Sequence, residues 1–156
     1  MPATLQLRIT DRMACVGNVL AQSVTTIQST DAINLGLWNR VLFVVSVGAI
    51  GASATVTFTV TSSTTSGGSY TALTGVNIGN DTTGTHVWLV EVDTQAVYNA
   101  LNLANGTDIF IKGNVTSTTA ATPCAVVALA EGGHYLPPVS STYGSHVQTP
   151  VVVLGG

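Results

Sequence analysis

Three histidines, two cysteines and two alternating carboxylates are the residues of this chain with the plainest chemical potential. His86, His134 and His146 are scattered, and none has a second His, Cys or carboxylate at the spacing with which a strand or helix presents a pair of metal ligands. They are expected to be structural or surface histidines. Cys15 and Cys124 stand far apart without a close-spaced partner, so reduced, buried thiols are expected rather than a bridge. Serine and threonine abound, but no Gly-x-Ser-x-Gly elbow lies between a strand and a helix, and no base has an orienting acid. Glu91 and Asp93 alternate with Val90 and Val92, which places both carboxylates on one strand face. A glycosidase needs its two acids on opposite sides of a sugar ring, so a solvated face, or pairing with Arg40 or Lys112, is the expectation. No catalysis, no cofactor and no metal are expected.

Two further signals have plain explanations. Asn80, Asn105 and Asn114 each open an Asn-x-Thr triplet, the glycosylation pattern, but turn chemistry and strand polarity account for them. Trp38, Trp88, Tyr70, Tyr98, Tyr135 and Tyr143 could form a sugar-stacking platform, since amphipathic rings anchor sugars and protein interfaces alike. Tyr135 and Tyr143 flank Pro137-Pro138 in an irregular stretch and are read as protein-contact residues.

The composition points to assembly. Only 7 % of the 156 residues are charged, four basic and seven acidic, against about 25 % in an ordinary soluble domain. A protein that stays apart from its neighbours needs a charged, hydrated skin, and this one lacks the side chains to make it. Four basic residues and a net charge of −3 argue against a nucleic-acid partner, because neutralising phosphates takes clustered Lys and Arg. The longest apolar stretch, residues 41–52, is broken by Ser46, Gly48 and Gly51 and is shorter than the ~20 residues of a membrane-spanning helix. The first twelve residues carry no basic-then-apolar leader, so a chain made and used without export is expected.

The elements that must position these residues are strands. Residues 54–61 alternate Val56, Phe58 and Val60 with threonines, one apolar face and one hydroxyl face. Residues 4–10 alternate through Leu5, Leu7 and Ile9. Residues 41–47 are continuously apolar and β-branched, which predicts a central strand covered on both faces. Further strands are predicted at 86–92, 108–115, 124–130 and 150–154, with about thirty residues of mixed character after residue 10. A short helical turn is predicted where Asp93 or Thr94 caps a segment with Val97 and Leu101 on one face, stopped by Asn105-Gly106. Glycine-rich and Asn-containing turns between the runs complete the signature of an all-β chain, an antiparallel β-sandwich or jelly roll with extended terminal segments. The expected core is Phe43, Val45, Val56, Phe58, Val60, Leu89, Ile109, Ile111, Val126 and Val127. At 15.9 kDa this is one domain, residues 1–156, with 1–39 and 139–156 as arms able to reach a neighbouring subunit.

The stretch RVLFVVSVGAIGASATVTFTVTSSTTSGGSYTALTG holds an apolar strand ending at Val47-Gly48, an alternating strand, and the hairpin Gly68-Ser69-Tyr70-Thr71. In this order it resembles a widespread family of tailed-bacteriophage virion proteins. Downstream, HVWLVEVDTQAVYNAL matches the family's strand and short helical turn, and IFIKGNVTSTTAATPCAVVALAEGGHYLPP its final hairpin and proline exit. It covers residues 40–138, about two-thirds of the chain. What it implies is a particle component, foremost a head decoration (cement) protein that binds the major capsid protein on the outer surface of the virion. A homotrimer is expected by analogy with threefold capsid positions, and a sugar- or receptor-binding head-fibre, neck or tail module is the alternative. Candidate contacts are Leu5, Leu7, Arg8, Ile9 and Arg12, whose strand could enter a neighbour's sheet, together with Tyr135 and Tyr143.

Overall fold

Alternation of apolar and hydroxyl residues builds two antiparallel sheets that share one core. The computed structural model describes residues 13–104 and 106–132, of which 55 % are in strands and 8 % helical. The elements are β1 (Met13–Val24), β2 (Gln28–Ser29), β3 (Ile33–Asn34), β4 (Arg40–Val47), β5 (Thr55–Ser63), β6 (Thr71–Ala72), β7 (Ile78–Asp81), β8 (His86–Asp93), α1 (Thr94–Ala100), β9 (Phe110–Thr118) and β10 (Thr122–Glu131). The first sheet has the order β1-β10-β4-β8; the second runs β2-β9-β5-β6, with β3 also pairing with β9 and β7 with β5. The chain is therefore an all-β sandwich with one short helix.

The sheets meet through alternate residues. Val41, Phe43, Val45 and Val47 of β4 face Val56, Phe58 and Val60 of β5 across a core completed by Ile111, Val115, Val126 and Ala128, all buried. The rings of Phe43 and Phe58 lie 5.5 Å apart and tilted by 56°, the edge-to-face range that aromatic pairs favour. Gly113 on β9 makes room for them. A Cβ there would sit 2.8 Å from carbons of both rings, closer than packed atoms tolerate. Its backbone also exchanges hydrogen bonds with Thr30, which donates from its N–H to the Gly113 carbonyl and accepts the Gly113 N–H on Oγ1, tying the β2–β3 link to the centre of the second sheet.

Most of the predicted strands stand where alternation puts them, and α1 begins at Asp93, whose carboxylate accepts the Ala96 N–H at 2.9 Å. Three points differ. Leu89 and Val127, expected in the core, are 67 % and 39 % exposed, because Val90 with Val92 on β8, and Val126 with Ala128 on β10, take the inward positions. Strand β4 is central, yet only one of its faces is fully covered; Leu42 and Val44 on the other remain half-buried. The stretch of mixed character after residue 10 contains β1, twelve residues paired with β10 from Met13↔Glu131 to Val24↔Thr122, with register breaks at Cys15/Gly17 and Val19/Gln22. Those bulges disrupt the period of two, which hides the strand from a pattern reading. Residues 13–34 of the expected N-terminal arm thus belong to the sheets. The predicted strands at 4–10 and 150–154 lie outside the described residues.

Candidate contact faces

The two outer faces of the sandwich are built from different chemistry. On the second sheet, β5 turns Thr55, Thr57, Thr59 and Thr61 outward, and the register sets them beside Thr118, Thr116, Asn114 and Lys112 of β9. These side chains bond to each other: Thr55 and Thr118 share a hydroxyl contact at 2.7 Å, and Asn114 donates to Thr61 Oγ1 at 2.9 Å while accepting from Ser29 Oγ at 2.6 Å. Asn114 is buried by this network, so it is held for structure and offers no accessible amide for modification. Lys112 Nζ lies 4.4 Å above the Tyr70 ring, a cation–π contact.

The first sheet presents an apolar outer face. Its central row is Leu89–Val44–Val127 on β8, β4 and β10; the rows beside it are Glu91–Leu42–Leu129 and Val87–Ser46–Ala125. Val87 and Leu89 are 55 % and 67 % exposed. Charge is confined to one end of this face. Arg40 pairs in register with Asp93 on one side and Glu131 on the other, and its guanidinium reaches Glu91 at 3.4 Å and Asp93 at 3.6 Å. The expected pairing of the two carboxylates with Arg40 is what the structure contains. These groups are about half exposed, so the pairs contribute little stability, but they mark where the apolar face stops.

The apolar face is the feature that the sequence reading missed, and a signal for it existed. Arg40, Glu91 and Glu131 are charged and must point outward on β4, β8 and β10; counting by twos from them reaches Leu42 and Val44, Leu89 and Val87, and Leu129 and Val127.

Around His86 the geometry is that of a structural tie. Asp81 Oδ1 accepts from the Thr83 N–H at 2.9 Å, the Thr83 hydroxyl at 2.8 Å and, more weakly, the Gly84 N–H at 3.5 Å. Oδ2 is shielded and is reached by His86 Nε2 at 2.7 Å and by no other donor among the described residues. Burial alone would raise the Asp81 pKa, but the Thr83 and Gly84 hydrogen bonds and the His86 charge outweigh it and hold the carboxyl below its usual range. The result clamps the β7–β8 turn, where Gly84 has φ +65° and a Cβ would strike the Gly48 carbonyl. No group of three or more His, Cys, Asp or Glu able to hold a metal occurs among the described residues.

The remaining candidates separate. Cys15 and Cys124 are both free; Cys124 is buried, which pushes its thiol pKa up, whereas Cys15 is only half-buried. Trp38 and Tyr98 are buried, with the Tyr98 hydroxyl donating to the Thr107 carbonyl at 2.5 Å. Trp88 points toward the core side of β8, its ring 5.4 Å from that of His86. These four aromatics, Tyr70 included, do not share an exposed surface. An open groove of about 1000 Å³ lies between the Leu35–Leu37 turn and the start of α1, with Arg40, Asp93 and Glu131 at its lip. Leu5, Leu7, Arg8, Ile9, Arg12, Tyr135, Tyr143, His134 and His146 lie outside the described residues. Met13 and Glu131, next to where those segments join, are paired neighbours on β1 and β10, so both termini attach at the charged end of the first sheet.

No protein-family model, curated protein or solved structure matches this chain. No helix among the described residues is long and apolar enough to cross a membrane.

Proposed function

We propose that this chain is a non-enzymatic particle component, a decoration protein of a tailed-phage head that sits on the outer surface as a homo-oligomer and bridges major capsid protein subunits. The observation that carries the reading is the exterior: one sheet face is apolar, with its charged residues gathered around Arg40 at one end, and the other is covered by hydroxyls. Such a surface suits contact with protein on several sides. The two described basic residues are engaged, Arg40 with carboxylates and Lys112 with Tyr70, which supports a partner other than nucleic acid. Terminal segments that attach side by side at Met13 and Glu131 suit a bipartite grip on a neighbour by strand addition. Contacts repeated over several subunits gain from effective concentration and oppose separation of the shell, since a ligand that binds only the assembled state stabilises it.

The strand order supports the same reading. With β2 and β3 counted as one interrupted strand, and β6 and β7 as another, the eight strands order as 1-8-3-6 and 2-7-4-5, which we take as the winding of a jelly roll, an architecture found in viral shells. The test is imaging of intact particles with the protein's copies counted. Copies by the hundred at quasi-equivalent head positions support a decoration protein; a few copies at a vertex or tail replace it with the host-binding module, and absence from particles removes the reading altogether.

A further inference from the structure

We infer that the free edge of β8 accepts residues 4–10 of a second copy of this chain as an added strand. Two open sheets have four edges, and native proteins guard such edges with bulges, very short strands, Pro or Lys. Three edges here are guarded. Strand β1 is broken in register at Cys15/Gly17 and Val19/Gln22. The second sheet is bordered by the two-residue β2 and β3 on one side, and by the two-residue β6 and four-residue β7 on the other. Strand β8 has none of these devices. It is eight residues long, keeps an unbroken register with β4 from Arg40↔Asp93 to Val47↔His86, and pairs with no other strand among the described residues. It contains neither Pro nor Lys, and its middle, Val87 to Val90, carries no charge. An edge of this kind takes up another strand.

Pattern and reach select the occupant. Leu5, Leu7 and Ile9 alternate with Thr4, Gln6, Arg8 and Thr10. Laid antiparallel with Leu5, Leu7 and Ile9 opposite Val92, Val90 and Trp88, the segment continues the inward row of β8 and sets Arg8 on the outer face, diagonal to Glu91. The chain's own β8 is out of reach of this whole segment. Met13, Glu131, Arg40 and Asp93 lie in one row across the first sheet, so a strand beyond β8 stands four spacings from Met13, roughly 19 Å at the ~4.8 Å strand spacing. The steps from Thr10 to Met13 span at most about 11 Å. A chain crossing back over its own sheet would spend about six residues on the way and keep only residues 4–7 for pairing. A hairpin onto β1 is disfavoured as well, because Asp11-Arg12 lacks the Gly or Asn of two-residue hairpin loops and β1 loses register from Cys15. The β8 of a second copy meets neither obstacle. Each copy gives one segment and offers one edge, so the exchange closes as a reciprocal pair or as a ring.

The exchange rests on the proposed homo-oligomer and names its connector; it is measured without particles, so its failure and the failure of head binding are distinguishable. The test is sedimentation velocity of the full chain over a dilution series, with amide hydrogen exchange of β8 in the same samples. The expected result is an oligomer with slowly exchanging β8 amides. The full-length double variant Leu5→Asp, Leu7→Asp is expected to dissociate, its dissociation constant raised at least about a hundredfold by carboxylates set into an apolar row. Its β8 amides should exchange fast while those of β4 and β5 stay slow, and a synthetic peptide of residues 1–12 should restore slow exchange in β8 at one peptide per chain. Were the variant to unfold, excess peptide added to the unaltered chain decides alone: it should break the oligomer into single chains whose β8 amides remain slow. A full chain that is monomeric at every dilution overturns the inference, as does an oligomer that the double variant, or excess peptide, leaves unchanged. Peptide that slows β1 in place of β8 would mark a hairpin within one chain and overturns it too. So would β8 amides that are fast in the isolated protein and slow only on particles, which would assign the edge to the capsid protein.

Discussion

The outward faces of β5 and β8 show how one alternating pattern serves two surfaces. On β5 every outward residue but the last is threonine, and the hydroxyls of Thr55 and Thr61 bond across to β9; the face is wettable. On β8 the outward residues are Val87, Leu89 and Glu91, and water gains nothing by covering the first two. Both strands place alternate residues in the same core. A sheet's inner face is therefore fixed by burial, whereas its outer face is free to record what lies beyond it. Here the outer face of the second sheet is lined by hydroxyls and that of the first by apolar side chains.

The largest effect separates the shared core from either exterior. Phe58→Ala removes a ring that is fully buried against Phe43 and is expected to cost about 3 to 5 kcal/mol in a denaturant titration. A loss under about 1 kcal/mol would mean that β5 turns its threonines inward and would dissolve the comparison.

A sharper test uses adjacent residues of β8. Val90→Ala, at an inward position only 7 % exposed, should cost about 2 kcal/mol from lost burial and the cavity left behind. Leu89→Ala, one residue earlier and facing out, should change the stability of the isolated fold by less than about 0.5 kcal/mol. Equal costs at the two positions would show that the outer face is covered within a single chain.

Converting one face toward the other should have a smaller effect on stability. Thr57→Val with Thr116→Val replaces an adjacent pair on the hydroxyl face and is expected to leave the unfolding midpoint nearly unchanged while producing self-association visible by light scattering. A double variant that stays as dispersed as the parent would show that apolar character alone does not make the first sheet adhesive.

The last prediction concerns the turn joining the two sheets at β7–β8. The folded-state pKa of Asp81 is depressed, so its stabilisation is fully present above the carboxyl pKa of the unfolded chain, about 3.9, and is lost as pH falls through the lower folded value. Asp81→Asn should lower stability at pH 6 and flatten the loss below about pH 4. An acid-unfolding profile that is the same in both proteins would remove Asp81 from the clamp.

Period-two patterning was enough to locate β5, and apolar, β-branched runs between turn signals located β4, β8, β9 and β10, because a strand must bury at least one face. Asp93 was legible as a helix cap for an equally local reason, since its carboxylate serves an N–H three residues on. The sequence by itself thus determined the fold class, the short helix and most of the core. What only the tertiary structure decided was which parity of an apolar strand faces in. HVWLVEVD carries large apolar residues on both faces, and the choice between Leu89 and Val90 is made by pairing with β4 and by stacking against the second sheet. Strand β1 waited on tertiary structure too, since its bulges break the alternation and its partner β10 lies at the other end of the described chain. Alternation is a property of neighbours along the chain, but inside and outside are set by contacts between residues distant in sequence.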